Sequence, residues 1–258
     1  MKTNYHTHNY RCNHATGTAS DYVEEAIKNG FSEIGISDHL PHPGKDIDNH
    51  HRMAVDDIPN YIKEIEEAIE KYKEKISIKK GLECEYFEDL LWFYKDLREK
   101  YKFDYLILGA HFFPYKGEWH YVGHGLTKDM LDVYSDYVVK SIKSGLFNYI
   151  AHPDLFGLGY KDFDENAIKA SRKILKAAEE VGMPIEINVN GMRKPKVKYN
   201  GGERYAYPIK EFWELSKEYN VKRIIGIDAH NPCELGDFEM GVKFAKEHGL
   251  EIIEKLEL

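Results

Sequence analysis

The chain has 258 residues, a formal net charge of −8 and 42% hydrophobic residues. This length and composition suit one large globular domain, and we expect residues 1–258 to form it. The acidic balance argues against binding to nucleic acid. No run approaches the ~18 apolar residues that a membrane span needs. Cys12, Cys84 and Cys233 are too few and too scattered for a disulfide framework. We therefore expect a cytoplasmic protein that engages neither membrane nor nucleic acid.

Short apolar runs alternate with helical patterns along the chain. Seven runs are predicted as strands, at residues 2–5, 33–37, 76–82, 105–108, 147–151, 184–188 and 223–227. Helices are predicted between and after them, at about 18–29, 57–72, 89–101, 128–144, 164–181, 208–219 and 235–248. Thr18 with Asp21 is typical of a capping box, and glycines at 145, 182 and 249 suit helix C-termini. The repeated strand–helix order predicts a parallel sheet with right-handed crossovers.

Metal-ligating side chains stand just where the predicted strands end. They are His6, His8, His14, His39, Glu83, His111, His152, Asp228 and His230. In parallel α/β folds, ligands bind beyond the carboxyl ends of the strands. Imidazoles with carboxylates select Zn, Fe or Mn, and nine ligands are too many for one ion. The first and last strands both carry ligands, so we expect the sheet to close into an α/β barrel with a multinuclear metal site.

Two ligand pairs and two ambiguous carboxylates refine this prediction. His6 with His8, and Asp228 with His230, are two residues apart, so in an extended chain each pair shares one face. Glu85 lies on the same strand face as Glu83 and is its alternative, although Glu83 is closer to the expected strand end. Asp38, beside His39, is either a partner that orients an imidazole or a group that contacts substrate.

The motifs resemble those of the PHP (polymerase and histidinol phosphatase) superfamily. The matching segments are His6-Thr7-His8, Ser37-Asp38-His39, Gly81-Leu82-Glu83, Gly109-Ala110-His111, Ala151-His152-Pro153 and Asp228-Ala229-His230. The resemblance extends from Asn4 to about Gly236. Two stretches, 6–17 and 186–194, are similar to the monofunctional histidinol-phosphate phosphatases within that superfamily. The chain departs from their pattern around Phe112-Phe113-Pro114 and after Arg193, which bears on substrate specificity.

The resemblance implies a distorted seven-stranded (β/α) TIM-like barrel and three divalent ions, of Zn, Fe or Mn. By the family's pattern, His6, His8, Glu83 and Asp228 hold the first ion. Glu83, His111 and His152 hold the second, and His14, His39 and His230 hold the third.

The implied activity is hydrolysis of L-histidinol phosphate, a step of histidine biosynthesis, by attack of a metal-bridging hydroxide on phosphorus. Arg193 is the expected phosphate clamp, because a guanidinium pairs two oxygens at once. Lys194 is the second candidate, although neighbours in an extended loop point oppositely. His42 and Asp38 are the candidates for protonating the leaving group or contacting substrate.

Three other functions remain open at this stage. One is a phosphoesterase of the same superfamily with another substrate, such as a nucleotide, an oligonucleotide or a phosphotyrosine protein. A second is an amidohydrolase, which also begins with a His-x-His strand end but has no need of Arg193. A third is a non-catalytic accessory module, which the full set of ligands argues against. The small-molecule phosphomonoester is favoured, because no basic stripe follows a nucleic-acid backbone.

Overall fold

The computed structural model describes residues 1–258. Its strands are β1 (Thr3–Asn4), β2 (Glu33–Ile36), β3 (Ser77–Cys84), β4 (Tyr105–Leu108), β5 (Phe112–Tyr115), β6 (Glu118–Tyr121), β7 (Tyr149–Ile150), β8 (Ile185–Asn188), β9 (Val197–Tyr199), β10 (Gly202–Arg204) and β11 (Arg223–Gly226). Its α-helices are α1 (Ala19–Lys28), α2 (Ile58–Tyr72), α3 (Leu91–Glu99), α4 (Lys128–Lys143), α5 (Glu165–Val181), α6 (Asn190–Arg193), α7 (Lys210–Ser216) and α8 (Phe238–Glu247). All seven predicted strands and all seven predicted helices are present.

The main sheet has seven strands in the order β1-β2-β3-β4-β7-β8-β11. Strands β1 and β2, β2 and β3, and β7 and β8 pair in parallel, with Thr3 opposite Glu33 and Ile34 opposite Ile78. A parallel bridge between Thr7 and Ala229 joins the segments that follow β1 and β11. The segments that follow the first and last strands are therefore paired, so the sheet is nearly closed, and the predicted (β/α)7 TIM-like barrel is confirmed.

Local sequence signals define several helix ends. The Thr18 side chain accepts a hydrogen bond from the Asp21 amide, and Asp21 accepts one from the Thr18 amide, so the predicted capping box starts α1. Gly145, Gly182 and Gly249 follow α4, α5 and α8 with φ of 73°, 68° and 60°. This left-handed conformation costs glycine little, so these residues end their helices as predicted.

Two antiparallel strand pairs lie outside the seven predicted strands. β5 pairs with β6, and β9 pairs with β10. In the first pair, Lys116 and Gly117 form the connection with φ of 52° and 87°. Two consecutive positive φ angles are typical of the tight turn that suits strand twist in a hairpin. These strands are only three or four residues long, which is too short for a clear sequence pattern.

Backbone contacts divide the chain into two compact units. The first comprises residues 1–107, 226–239 and 254–258, and the second comprises residues 108–225 and 240–253. In the first, the buried Tyr105 hydroxyl donates to the Tyr5 carbonyl at 2.7 Å, which joins β4 to the segment after β1. In the second, α4 packs against α5, and β7 pairs with β8 in parallel. The single domain expected over 1–258 stays a prediction. None of the helices combines the length and apolar character that crossing a membrane requires.

Candidate metal centre

Four predicted ligands meet in the first unit. His6 Nε2 lies 3.4 Å from Glu83 Oε1 and 3.6 Å from Asp228 Oδ1. His8 Nε2 lies 3.1 Å from the same Asp228 oxygen and 3.6 Å from Glu83 Oε2. All four side chains are buried. The two strand-end pairs of the sequence therefore do converge, because the segments after β1 and β11 lie side by side.

Three further histidines extend this cluster. His39 Nδ1 is 3.0 Å from Glu83 Oε2. His14 Nε2 and His230 Nε2 are 3.0 Å apart, and the rings of His14 and His39 have centroids 5.3 Å apart. His8 is close to both groups, since its ring centroid is 4.2 Å from that of His230. The first unit thus brings together seven of the nine predicted ligands, which are His6, His8, His14, His39, Glu83, Asp228 and His230.

The electrostatics of the cluster suit cation binding. Burial disfavours the charged form of His8, but hydrogen bonds to Asp228 and Asp38 outweigh it and raise the pKa of His8 to about 9. Burial would raise the pKa of the Asp228 carboxyl, yet the surrounding imidazoles hold that pKa well below its usual range. Burial and the neighbouring His8 lower the pKa of His39, and lower the pKa of His230 to about 3. A neutral imidazole is the form that binds metal, so His39 and His230 are ready to bind, whereas His8 must release a proton when a metal binds.

The chemistry of these donors fits divalent metal ions. One atom each from His6, His8 and Asp228 lies within 4.8 Å of the others, and the same holds for His8, His39 and His230. Imidazole nitrogens and carboxylate oxygens at this spacing are the ligands that Zn, Fe and Mn accept. Without a bound cation, removing these carboxylates from water would cost free energy. The first unit therefore contains clusters suited to divalent metals.

The two ambiguous carboxylates differ in position. Asp38 Oδ1 lies 3.3 Å from His8 Nδ1, on the opposite side of the ring from the Asp228 contact, and accepts the His39 amide at 2.8 Å. Asp38 is thus placed to orient an imidazole rather than to face the cluster. Glu85 lies 3.4 Å from the buried Arg52 guanidinium, whereas Glu83 lies among the histidines.

Sequence reasoning missed Asn4, which is fully buried and holds the two ligand pairs in register. Its side-chain Nδ2 donates to the His6 carbonyl at 3.1 Å and to Thr7 Oγ1 at 2.7 Å. Its side-chain Oδ1 accepts the Ile227 backbone amide at 2.8 Å. An asparagine in a predicted strand carries no signal of this role. Glu234 was missed in the same way. Its carboxylate accepts the backbone amide hydrogen of the ligand residue His230 at 2.7 Å.

Backbone strain also marks the ligand segments. Asp228 and His152 have φ of 51° and 30°, and Asn13 and Ala110, which precede His14 and His111, have φ of 65° and 51°. Non-glycine residues with positive φ are uncommon and concentrate at functional sites. The segments that carry these ligands therefore adopt left-handed backbone conformations at or beside the ligand residues, a feature that composition could not predict.

The remaining predicted ligands and the phosphate clamp lie in the second unit. The rings of His111 and His152 have centroids 4.9 Å apart, and His152 is buried. Arg193 ends α6 and is half-buried, whereas Lys194 is exposed. The expected opposite directions of the two side chains stay a prediction.

His42 is a buried residue of the first unit. Its Nδ1 lies 3.2 Å from the Ile47 carbonyl, and its ring packs edge-on against Phe87 with centroids 4.7 Å apart. His42 lies three residues after His39 in the chain.

The cysteines are all free, as expected, with Cys12 and Cys84 buried and Cys233 exposed.

Comparison with known proteins agrees with the site. The model of the PHP domain family matches residues 4–190, more than half of the chain. The chain belongs to the PHP domain family, as its motifs predict.

Two curated relatives have names that point to one branch of this family. A Deinococcus radiodurans protein named "Probable histidinol-phosphatase" is 29% identical over 90% of this chain and 87% of its own length. The Bacillus subtilis "Histidinol-phosphatase" is also 29% identical, over 92% of this chain and 96% of its own length. A Lactococcus lactis histidinol phosphate phosphatase, solved with zinc, L-histidinol and phosphate, has the same fold, with a TM-score of 0.74 and 18% identity over 100% of this chain and 99% of that one.

Proposed function

We propose that this protein is a metal-dependent phosphomonoesterase that hydrolyses L-histidinol phosphate to L-histidinol and inorganic phosphate. The observation that carries the proposal is the buried cluster of imidazoles around Glu83 and Asp228 in a chain of the PHP family. The substrate is the one that the names of the bacterial relatives indicate. The chain's acidic balance favours a small ester over a nucleic acid.

The nine ligands would hold three divalent ions of Zn, Fe or Mn, in the grouping that the family resemblance implies. Bound ions of this kind supply a water-derived nucleophile near neutral pH and neutralise charge on phosphate oxygens. Glu83 suits a shared ligand, because one of its oxygens faces His6 and the other faces His39. The protein's part is to fix these donors rigidly, which burial and the contacts of Asn4 and Asp38 support.

Arg193 is the proposed phosphate clamp. Its guanidinium is half-buried at the end of a short helix that follows β8, so it is less hydrated than the exposed Lys194 beside it. A guanidinium fork pairs two phosphate oxygens, which a lysine ammonium cannot do with the same geometry. Lys194 is proposed to make a weaker, longer-range contribution to phosphate binding.

The leaving alkoxide needs a proton, and we propose His42 rather than Asp38 as its source. Asp38 already accepts from the His39 amide and lies against His8, so it is committed to orientation. His42 belongs to the segment that follows His39. In the complete reaction a new P–O bond forms to water oxygen, the P–O bond to histidinol breaks, and a proton passes to the alkoxide.

The first test is phosphate release from L-histidinol phosphate and from a panel of other phosphomonoesters, with protein loaded with zinc or manganese. We expect a strong preference for L-histidinol phosphate and its loss in His8→Ala. Activity on other esters alone would overturn the substrate but keep the chemistry. No phosphatase activity would direct attention to amide hydrolysis.

A matched pair of variants tests the clamp. We expect Arg193→Ala to weaken kcat/KM by about 10- to 100-fold, as loss of a charge-assisted hydrogen-bond pair would. Lys194→Ala should cost about threefold or less, in line with an exposed ion pair. Equal losses in the two variants, measured by steady-state kinetics, would contradict the assignment of Arg193.

A further inference from the structure

The turn that carries Arg193 is joined to β8 by hydrogen bonds between buried polar groups. The Asn188 side-chain Nδ2 donates to Glu186 Oε1 at 2.6 Å, and the Asn188 side-chain Oδ1 accepts the Gly191 backbone amide at 3.1 Å. Glu186 and Asn188 are both buried and share one face of the strand. These hydrogen bonds fix the strand side of the turn.

The other side of the turn is closed by Tyr207. A Cβ atom at Gly191 would lie 2.0 Å from the Tyr207 carbonyl oxygen and 2.5 Å from its ring. The two segments therefore approach so closely that no side chain fits at position 191. Tyr207 itself is buried, so it cannot swing into solvent to make room.

The segment around Tyr207 is anchored on both sides. Before it, Arg204 donates to the carbonyls of Tyr205, Ala206 and Lys161 at 2.6, 3.0 and 2.5 Å. After it, the Ile209 amide donates to Asp154 Oδ2 at 2.5 Å. The tyrosine is thus held by hydrogen bonds that do not involve the Arg193 turn. It can serve as a fixed stop for that turn.

The same tyrosine touches a predicted metal ligand. Its ring lies edge-on to the His152 ring, with centroids 5.8 Å apart and an interplanar angle of 69°. One rigid side chain therefore contacts the Arg193 turn through Gly191 and a ligand of the metal centre.

We infer that Tyr207 is a positioning residue that seats the Arg193 turn at a set distance from His152. The inference rests on the proposed function, because it takes Arg193 as the phosphate clamp. A turn displaced by the bulk of one methyl group would carry the guanidinium away from the phosphate. Small misplacements of this kind are costly, at up to about 100-fold for 1 Å.

The test is a double-mutant cycle between Gly191→Ala and Arg193→Ala in the zinc-loaded protein. The readout is the dissociation constant of inorganic phosphate by calorimetry, with zinc content and melting temperature measured alongside. We expect Gly191→Ala to weaken phosphate binding about tenfold alone and less than about twofold when Arg193 is already alanine. Equal effects in both backgrounds, or no phosphate binding by the unsubstituted protein, would overturn the inference.

A second pair of variants tests the ring. Tyr207→Phe keeps the ring and should bind phosphate within about threefold of the unsubstituted protein, whereas Tyr207→Leu should lose about tenfold. Equal losses in these two variants would overturn the role of the ring. If the unsubstituted protein binds phosphate and the cycle is non-additive but L-histidinol phosphate is not hydrolysed, only the proposed substrate fails. If it hydrolyses the ester but the cycle is additive, only the role of Tyr207 fails.

Discussion

At the residue scale, the two ring nitrogens of His8 face different carboxylates. Nε2 faces Asp228 and Glu83, and Nδ1 faces Asp38. A carboxylate on the far nitrogen fixes the tautomer and orientation of a ligating imidazole and raises its basicity. Asp38 is in turn held in place, because its amide donates to the Tyr61 hydroxyl at 3.0 Å.

Replacement of Asp38 should therefore weaken metal binding without removing a ligand. We expect Asp38→Asn to raise the zinc dissociation constant by about 10- to 100-fold, because the neutral amide cannot polarise His8 as the carboxylate does. Competition with a chromogenic chelator measures this constant. Asp56→Asn, at an exposed position of the same unit, is the control and should leave it unchanged. An unchanged constant in Asp38→Asn would show that the carboxylate plays no such role.

At the element scale, β2 and β3 leave room for a tyrosine from β4. A Cβ at Gly35 would lie 1.9 Å from the Tyr105 hydroxyl oxygen, and one at Gly81 would lie 2.1 Å from ring atom Cζ. Tyr105 is fully buried and donates to the Tyr5 carbonyl. The two glycines thus let an aromatic ring cross the inside of the sheet and bond to the segment that carries His6.

This packing predicts that removal of the Tyr105 hydroxyl lowers the stability cost of alanine at position 35 but not at position 81. Gly35→Ala and Gly81→Ala should each lower the free energy of unfolding by roughly 1–3 kcal/mol, as overpacked core substitutions do. In a Tyr105→Phe background the cost of Gly35→Ala should fall by about 1 kcal/mol, because the closest clashing atom is gone. The cost of Gly81→Ala should persist, since ring carbons remain. Denaturant unfolding measures all four changes, and equal relief at both glycines would contradict this packing.

The sequence predicted the elements of the main sheet but not the contacts that hold them. Strand ends followed from apolar runs that stop at ligand residues, such as Glu83 and His39, and those signals are local. The β5–β6 and β9–β10 pairs were missed, because three or four residues give no readable period. Asn4 and Tyr207 were missed for another reason. Their roles depend on Ile227 and Gly191, which are distant or unremarkable in the chain and become neighbours only in the folded protein.

At the scale of the whole molecule, the metal cluster joins the start of the chain to a segment more than 200 residues later. His6 and His8 follow the first strand, whereas Asp228 and His230 follow the last strand of the main sheet. Hydrogen bonds also join these segments, such as the His8 amide to the Ala229 carbonyl at 2.9 Å and the Ile227 amide to the Asn4 side chain at 2.8 Å. Ions shared between these segments would close a long loop and bind only the folded chain.

Metal removal should therefore destabilise the protein as a whole. Zinc at about 100 times its dissociation constant stabilises a folded state by about 2.7 kcal/mol, which corresponds to a rise in melting temperature on the order of 5–10 °C. Imidazoles must be deprotonated to bind zinc, and the pKa of His8 in the metal-free protein is raised to about 9. The difference in melting temperature between zinc-loaded and chelated protein should therefore narrow as the pH falls from about 9 to about 5.5. Calorimetric melting of zinc-loaded and chelated protein across this pH range measures the difference in melting temperature. His8→Ala should show a smaller difference at every pH. A difference that stays constant with pH, or is the same in His8→Ala, would mean that zinc acts elsewhere than at this cluster.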